Sequence, residues 1–283
     1  MGTILKGIDV ANGMKPSLIA RAAVLKDVGV MPCLGIVRIG ERQDDLSYER
    51  GAMKRCEAIG VECRVFAYPE DVTQAAFVEA FQSINSNPGI HGILVFRPMP
   101  KHIDEEVIKT LIRPEKDIDC MSAANMAKVF MGDESGFEPC TPGAVVALLK
   151  QNNIPLKGKR ITIVGRSLVV GKPLAMMLMK ENATITVCHT RTVNLAEECK
   201  RAEILIAAAG KAKMLDASYI GAGAVVIDVG INVDEDGNLC GDVDFESAEK
   251  IAGFITPVPG GVGSVTTSIL AEHVIAACER TSS

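Results

Sequence analysis

The chain alternates, and it does so twice. Short runs rich in β-branched residues are followed by helix-length segments of mixed polarity. The first series opens with "MPCLGIVRIG" and continues through a helical stretch that carries Tyr48 and ends at Gly60. "VECRVFAY" reads as a second strand. "DVTQAAFVEAFQSINS" reads as an amphipathic helix capped by Asp71, and "HGILVFRPMP" as a buried strand that stops at two prolines. Strand–helix–strand order requires crossovers, and crossovers make the strands parallel. A loop and a helix starting near Pro142 follow in "FEPCTPGAVVALLKQNN". The second series then supplies "RITIVG", "ATITVCHT", "AEILIAAAG" and "GAVVIDVGI", which predict a second parallel sheet. "INVDEDGNLCGDVDF" is turn-rich, and "PVPGGVGSVTTSILAEHVIAACERT" reads as a glycine-rich loop feeding a last helix. With 283 residues the chain exceeds the usual single core, so the expected class is α/β with two domains.

Charge and composition narrow the function. The net charge is −5, which gives no basic face for nucleic acid. No apolar run reaches the roughly 18 residues of a membrane span, and "MGTILKGIDV" lacks the basic-then-apolar pattern of a leader. Lys6 stands where a myristoylation signal wants Ser or Thr. The nine cysteines form no C-x-x-C pair and read as reduced thiols of a cytoplasmic protein. The four histidines have no H-x-x-x-H spacing, so no metal site is expected.

The first strand of the second series ends in "VGRSLVVGKP". Gly165 and Gly171 bracket a strand-to-helix turn with Arg166 and Ser167 inside it. This is half of a G-x-G-x-x-G fingerprint, and on the loop alone a tight βα turn is an equal reading. Glycines there let backbone approach a pyrophosphate at a helix N-terminus. An NAD site places Asp or Glu at the end of the next strand to hold the ribose 2′-OH. That strand ends in His189, Thr190 and Arg191, with no carboxylate. Arg166 and Arg191 suit a 2′-phosphate, with Thr190 as a hydrogen-bond donor. Each arginine taken singly is also an ordinary surface cation. Together they favour NADP, with NAD as the alternative.

With those residues in hand, the chain resembles the methylenetetrahydrofolate dehydrogenase/cyclohydrolase family. The segments that carry the resemblance are "GILVFRPMP", "PEKDIDC", "PCTPGAV", "VGRSLVVGKPLAMML", "ATITVCHTRT", "GAVVIDVGIN", "GDVDF" and "TPVPGGVGSVTTSIL", in order over essentially the whole length. The resemblance implies a substrate domain formed by 1–141 and 267–283 and a Rossmann-like cofactor domain over 142–266. It also implies a homodimer joined through the cofactor domains. The family oxidises 5,10-methylenetetrahydrofolate to the methenyl cation with a nicotinamide cofactor, then opens that cation with water. Asp119 matches the aspartate that accepts hydrogen bonds from the pterin edge, and Tyr48 the tyrosine that meets the folate. Phe96, Pro98, Pro259, Gly260 and Gly261 fall on substrate-facing positions. Thr141, Gly210 and Ile231 fall where the family borders the cofactor, although packing or turn formation explains these three nearly as well. Cys120 stands where the family has glycine, which leaves the local backbone geometry open. Ser264 replaces a family proline.

Two departures bear on the chemistry. The bifunctional pattern is Tyr, three residues, then Lys on one helical face. Each helical residue turns about 100°, so Lys54 points away from Tyr48, and the residue facing it is Ala52. The family strand reads "GILVQLPLP", and Phe96 takes the place of the glutamine that holds the lysine. Arg97, also unusual for the family, and Arg55 near the Tyr48 face suit an anionic group but not a base. The expected enzyme is a dehydrogenase with weak or absent cyclohydrolase activity. The alternatives are an NAD-specific monofunctional dehydrogenase and a catalytically silent folate- or nucleotide-binding homologue.

Overall fold

A computed structural model describes residues 1–282. The chain folds as two compact units, one formed by Met1–Gly13 with Thr141–Thr266, the other by Met14–Cys140 with the residues from Thr267 onward. Both are α/β.

The unit beginning at Met14 is built on β2 (Cys33–Ile39), β3 (Glu62–Tyr68) and β4 (Gly92–Val95), following β1 (Thr3–Ile4) and α1 (Gly7–Asp27) in the chain. The three strands are parallel, in the order β3-β2-β4. β2 lies between the other two and is almost wholly buried, as is β4 at one edge, whereas β3 at the other edge is exposed along much of its length. The crossovers are α2 (Gln43–Ile59) and α3 (Gln74–Ser86). α2 ends at Gly60, whose φ of 94° and N–H bond to the Cys56 carbonyl make a left-handed close. α3 is capped by Thr73, whose hydroxyl oxygen accepts the Ala76 N–H, and not by Asp71 as expected. Asp71 lies too far ahead of the first turn to reach its free N–H groups. Phe77 and Phe81 of α3 are fully buried among Val37, Ile93 and Ile108. Truncating either to alanine would cost about 3–5 kcal/mol. The short helices α4 (Glu105–Leu111) and α5 (Ala123–Met131) follow.

The other unit begins its second series after α6 (Cys140–Gln151). β5 (Arg160–Val164), α7 (Gly171–Lys180), β6 (Thr184–Cys188), α8 (Leu195–Lys200), β7 (Ile204–Ala207) and β8 (Val225–Asp228) alternate as expected. The hairpin β9 (Asn232–Val233) and β10 (Leu239–Cys240), α9 (Phe245–Ala248), β11 (Phe254–Ile255) and α10 (Gly263–Ser282) complete the chain. The sheet runs β1-β11-β8-β7-β5-β6 and is parallel throughout. Its core includes Leu205, Leu215, Val226 and Ile255.

The boundary differs from the expectation at the N-terminus. Residues 1–13 do not join the first series. Thr3 and Leu5 donate N–H bonds to Gly253 and Ile255, so β1 covers the open edge that β11 would otherwise expose. Helix α1 occupies a stretch with no clear period, which is why its pattern predicts nothing.

Candidate active site

The carboxyl ends of β2 and β4 hold the first group of expected residues. Tyr48 lies in α2 and Ala52 one turn on, fully buried. Phe96 follows β4 directly, its N–H bonded to the Val37 carbonyl at 3.0 Å. Its ring meets the Tyr48 ring edge-on, with centroids 6.0 Å apart and planes at 87°. Such a pair is worth about 0.5–1.5 kcal/mol beyond its buried area. Arg97 comes next, followed by Pro98 after a cis peptide. Pro98 lines a cavity of about 1220 Å³ with Gly40, Arg42, Glu70, Lys101 and His102.

Asp119 reaches the same neighbourhood from the loop before α5. Its Oδ1 accepts the Cys140 N–H at 2.9 Å, and its Oδ2 lies 3.8 Å from the Arg97 guanidinium. Arg97 is also 3.7 Å from the Glu105 carboxylate. The loop itself is capped by the neighbouring Asp117, which is buried and accepts the N–H groups of Met121 and Ser122 and the Asn125 amide. Asp119 is 28% exposed and so keeps an oxygen for a further partner. Cys120 has φ 55° and is buried. Left-handed backbone at a non-glycine residue costs about 1–2 kcal/mol, which explains why glycine suits this position. Burial pushes the Cys120 thiol well up. Arg55 is partly buried on α2.

The second group lies at the carboxyl ends of β5 to β8. Gly165 has φ 141°, and a Cβ there would overlap the Ala208 carbonyl oxygen. A Cβ at Gly171 would overlap the Gly165 carbonyl, so the turn closes on itself only with two glycines. Ser167 Oγ accepts the Val170 N–H at 3.0 Å, and no side chain caps the start of α7. A cradle with no Cβ beside an uncapped helix start fits a pyrophosphate. Arg166, Thr190 and Arg191 are exposed around it. His189 accepts the Arg191 N–H through Nδ1 at 3.1 Å, which fixes the turn after β6. Gly210 has φ 66° and open space where a Cβ would stand, and Ile231 is 70% exposed. Thr141 lies at the start of α6. Gly260 accepts the Gly7 N–H at 2.8 Å, and a Cβ at Gly261 would press on the Pro257 carbonyl. Pro259 follows a cis peptide and is exposed.

Sequence reasoning missed two residues here. Asp228 and Asp242 are buried and organise the loops around Gly210 and Ile231. The available signal was an aspartate beside glycine at two strand ends, in "IDVG" and "CGDVD". Among the described residues no cluster of His, Cys, Asp or Glu suits a metal, and no helix is long and apolar enough to cross a membrane. None of the nine cysteines is in a disulfide.

Comparison with known proteins decides the relationship. The model for the tetrahydrofolate dehydrogenase/cyclohydrolase NAD(P)-binding domain matches residues 139–282, and the one for the catalytic domain of the same proteins matches residues 5–119. The chain belongs to this family. It is 55% identical over 278 residues to bifunctional protein FolD of Clostridioides difficile, covering 98% of this chain and 97% of that one. The crystal structure of the bifunctional FolD of Campylobacter jejuni matches with a TM-score of 0.96 at 37% identity, covering 99% and 100% of the two chains. The Trypanosoma brucei FolD complexed with NADP cofactor and inhibitor matches with a TM-score of 0.93 at 34% identity, covering 99% and 98%. These family members share the two-domain α/β architecture described above.

Proposed function

We propose that this chain oxidises 5,10-methylenetetrahydrofolate to 5,10-methenyltetrahydrofolate with NADP, and that its cyclohydrolase step is weak or absent. The observation that carries the reading is Ala52, buried one turn from Tyr48, with the Phe96 ring packed edge-on against the tyrosine. The family pattern has an ammonium and an amide at those two positions.

The two reactions differ in what they ask of the protein. Hydride leaves a CH₂ whose flanking nitrogens stabilise the cation, so the chain has only to align the donor carbon and exclude water. A bound nicotinamide supplies the hydride acceptor. Hydrolysis needs water to lose a proton and a ring nitrogen to gain one, and a positioned acid–base contributes about 10²–10⁴-fold. Neither Ala52 nor Phe96 can move a proton, and a guanidinium such as that of Arg97 offers donors only. In this reading Asp119 accepts the pterin donors through the oxygen that Cys140 leaves free, and Tyr48 bears on the folate. Pro98, Pro259, Gly260 and Gly261 line the substrate. Gly165, Ser167 and Gly171 cradle the pyrophosphate, while Arg166, Thr190 and Arg191 hold the 2′-phosphate. Thr141, Gly210 and Ile231 border the remainder of the cofactor. The enzyme works as a homodimer.

A spectrophotometric assay with each cofactor, following methenyl appearance and decay separately, tests the reading. The expected result is faster reduction of NADP than of NAD with accumulation of the methenyl product. Rapid enzyme-dependent formation of 10-formyltetrahydrofolate would sink the hydrolytic half. A faster rate with NAD would sink the cofactor assignment. Sedimentation of the purified protein at a monomer's mass would remove the dimer.

A further inference from the structure

The carboxyl ends of β7 and β8 are joined by two buried carboxylates, and the end of β11 is tied to them through the Asp228 backbone. Asp242 is fully buried and accepts four hydrogen bonds: from the N–H groups of Ala209 (2.5 Å), Gly210 (3.0 Å) and Lys211 (2.8 Å), and from Asn232 Nδ2 (2.9 Å). Asp228 ends β8 and accepts the N–H groups of Gly230 (2.9 Å), Asp242 (3.0 Å) and Val243 (2.9 Å). The pair is reciprocal. A Cβ at Gly230 would overlap the Asp242 carboxyl group, and one at Gly241 would overlap that of Asp228. The Asp228 N–H donates to Thr256 Oγ1 at 2.7 Å, which ties in the start of the Pro257–Gly261 loop.

The sheet order says what these loops face. β5 lies between β6 and β7, so the chain leaves β5 first in one direction and then in the other. In such sheets a dinucleotide crosses at that switch point, outside the carboxyl ends of the strands. The phosphate cradle follows β5, and Thr190 and Arg191 put the adenosine half beyond β6. The ring-bearing half therefore lies over β7 and β8. There the chain presents Gly210, with open space beside it, and Ile231, 70% exposed. An aliphatic side chain so exposed, with open space at Gly210, offers apolar surface to a flat ring. Gly210 is held through its own N–H, and Ile231 through the next residue, Asn232. Both attachments end on one carboxylate.

We propose that Asp242 is a positioning residue for hydride transfer, fixing Gly210 and Ile231 as the platform for the ring-bearing half of the dinucleotide. The proposal rests on the dehydrogenase reading above. A carboxylate suits this task because it offers acceptors only, whereas an amide would turn one donor against the backbone N–H groups.

The test uses the purified full chain and the variants D242N and N232A. Affinity is measured for the whole dinucleotide and for ADP-ribose carrying the same 2′ substituent, which lacks the ring, alongside kcat, folate KM and thermal midpoint. D242N is expected to lower kcat by about tenfold to a hundredfold and weaken the whole dinucleotide about tenfold. ADP-ribose affinity and folate KM should stay within about twofold of the unsubstituted protein. N232A removes one of the four donors and should weaken the whole dinucleotide about threefold. If D242N does not fold, N232A decides alone. Equal weakening of dinucleotide and ADP-ribose, or no change in either with kcat intact, overturns the proposal. If the unsubstituted chain oxidises no folate with either cofactor, the dehydrogenase reading has failed, and the two binding measurements still decide the role of Asp242.

Discussion

The carboxyl ends of the two sheets are built in different ways. Beyond β5 to β8 the backbone does most of the work. Glycines at 165, 171, 230 and 241 stand where any side chain would collide, and two aspartates are spent on backbone N–H groups. Beyond β2 and β4 the site is made of side chains: Tyr48 on Phe96, and Arg97 between Asp119 and Glu105. A backbone-built surface tolerates no change at its glycines and few elsewhere. A side-chain site can lose one reaction and keep another when two residues change. In the proposed function the first holds a ligand common to many enzymes, and the second decides what chemistry follows.

The sharpest way to break this contrast is to install the lysine and glutamine that the proposed function holds to be replaced. The double variant A52K/F96Q should raise methenyl hydrolysis by about 10²–10⁴-fold while changing dehydrogenase kcat by less than about tenfold. Stopped-flow decay of the methenyl absorbance measures the first and cofactor reduction the second. No gain in hydrolysis would count against Ala52 and Phe96 as the cause of the proposed weak cyclohydrolase step. On the cofactor side the largest effect is expected from G165A. Its Cβ would meet the Ala208 carbonyl, and φ 141° is closed to alanine. Dinucleotide affinity should fall by about a hundredfold or more, with stability lower by about 2–4 kcal/mol in denaturant titration. D119N should raise folate KM by about tenfold to a hundredfold and leave ADP-ribose affinity unchanged, because a carboxamide presents a donor where the pterin also donates. R191S should lower the NADP/NAD preference by about tenfold in kcat/KM.

How far the sequence could be read follows the same division. The buried strands were legible because β4 and β7 are continuous apolar runs, and β2 and β8 are broken only by Arg38 and Asp228 near their ends, before glycine or proline closes them. The glycine cradle was legible for a similar reason, since close backbone approach demands one residue type. α1 was not legible, as its apolar residues are scattered and Pro16 lies within it. The pairing of β1 with β11 was invisible too, because two residues carry no pattern and the partner is about 250 positions away. In the unit beginning at Met14, Ala52 could be placed opposite Tyr48 by helical spacing. The contact of Arg97 with Asp119 could not, because it joins the end of β4 to a separate loop. Asp117 and Asp119 look alike in "PEKDIDC", and burial separates the loop cap from the partly exposed carboxylate.

A pH-dependent effect is expected at Asp228, where two influences on one carboxyl group oppose each other. Burial disfavours its charge, and three backbone N–H groups favour it. Burial is the larger, and the pKa is raised to about 6. An unfolded aspartate titrates near 3.9. Between about pH 4 and 6 the folded chain thus holds a proton that the unfolded chain has released. The stability this gives is fully present below about pH 4 and is lost as pH rises through 6, by about 3 kcal/mol in all. D228N cannot titrate there. It should melt below the unsubstituted protein, since its amide leaves the Val243 N–H without an acceptor at a cost of about 1–3 kcal/mol. The gap between the two melting curves should then narrow as pH rises from 4 to 6. At roughly 2–4 °C per kcal/mol, calorimetry resolves the trend, and subtracting one protein from the other cancels the surface carboxylates. A gap that widened instead would mean that the N–H groups outweigh burial, making the Asp228–Asp242 interlock a source of stability at neutral pH and not a strain borne to hold the platform in place.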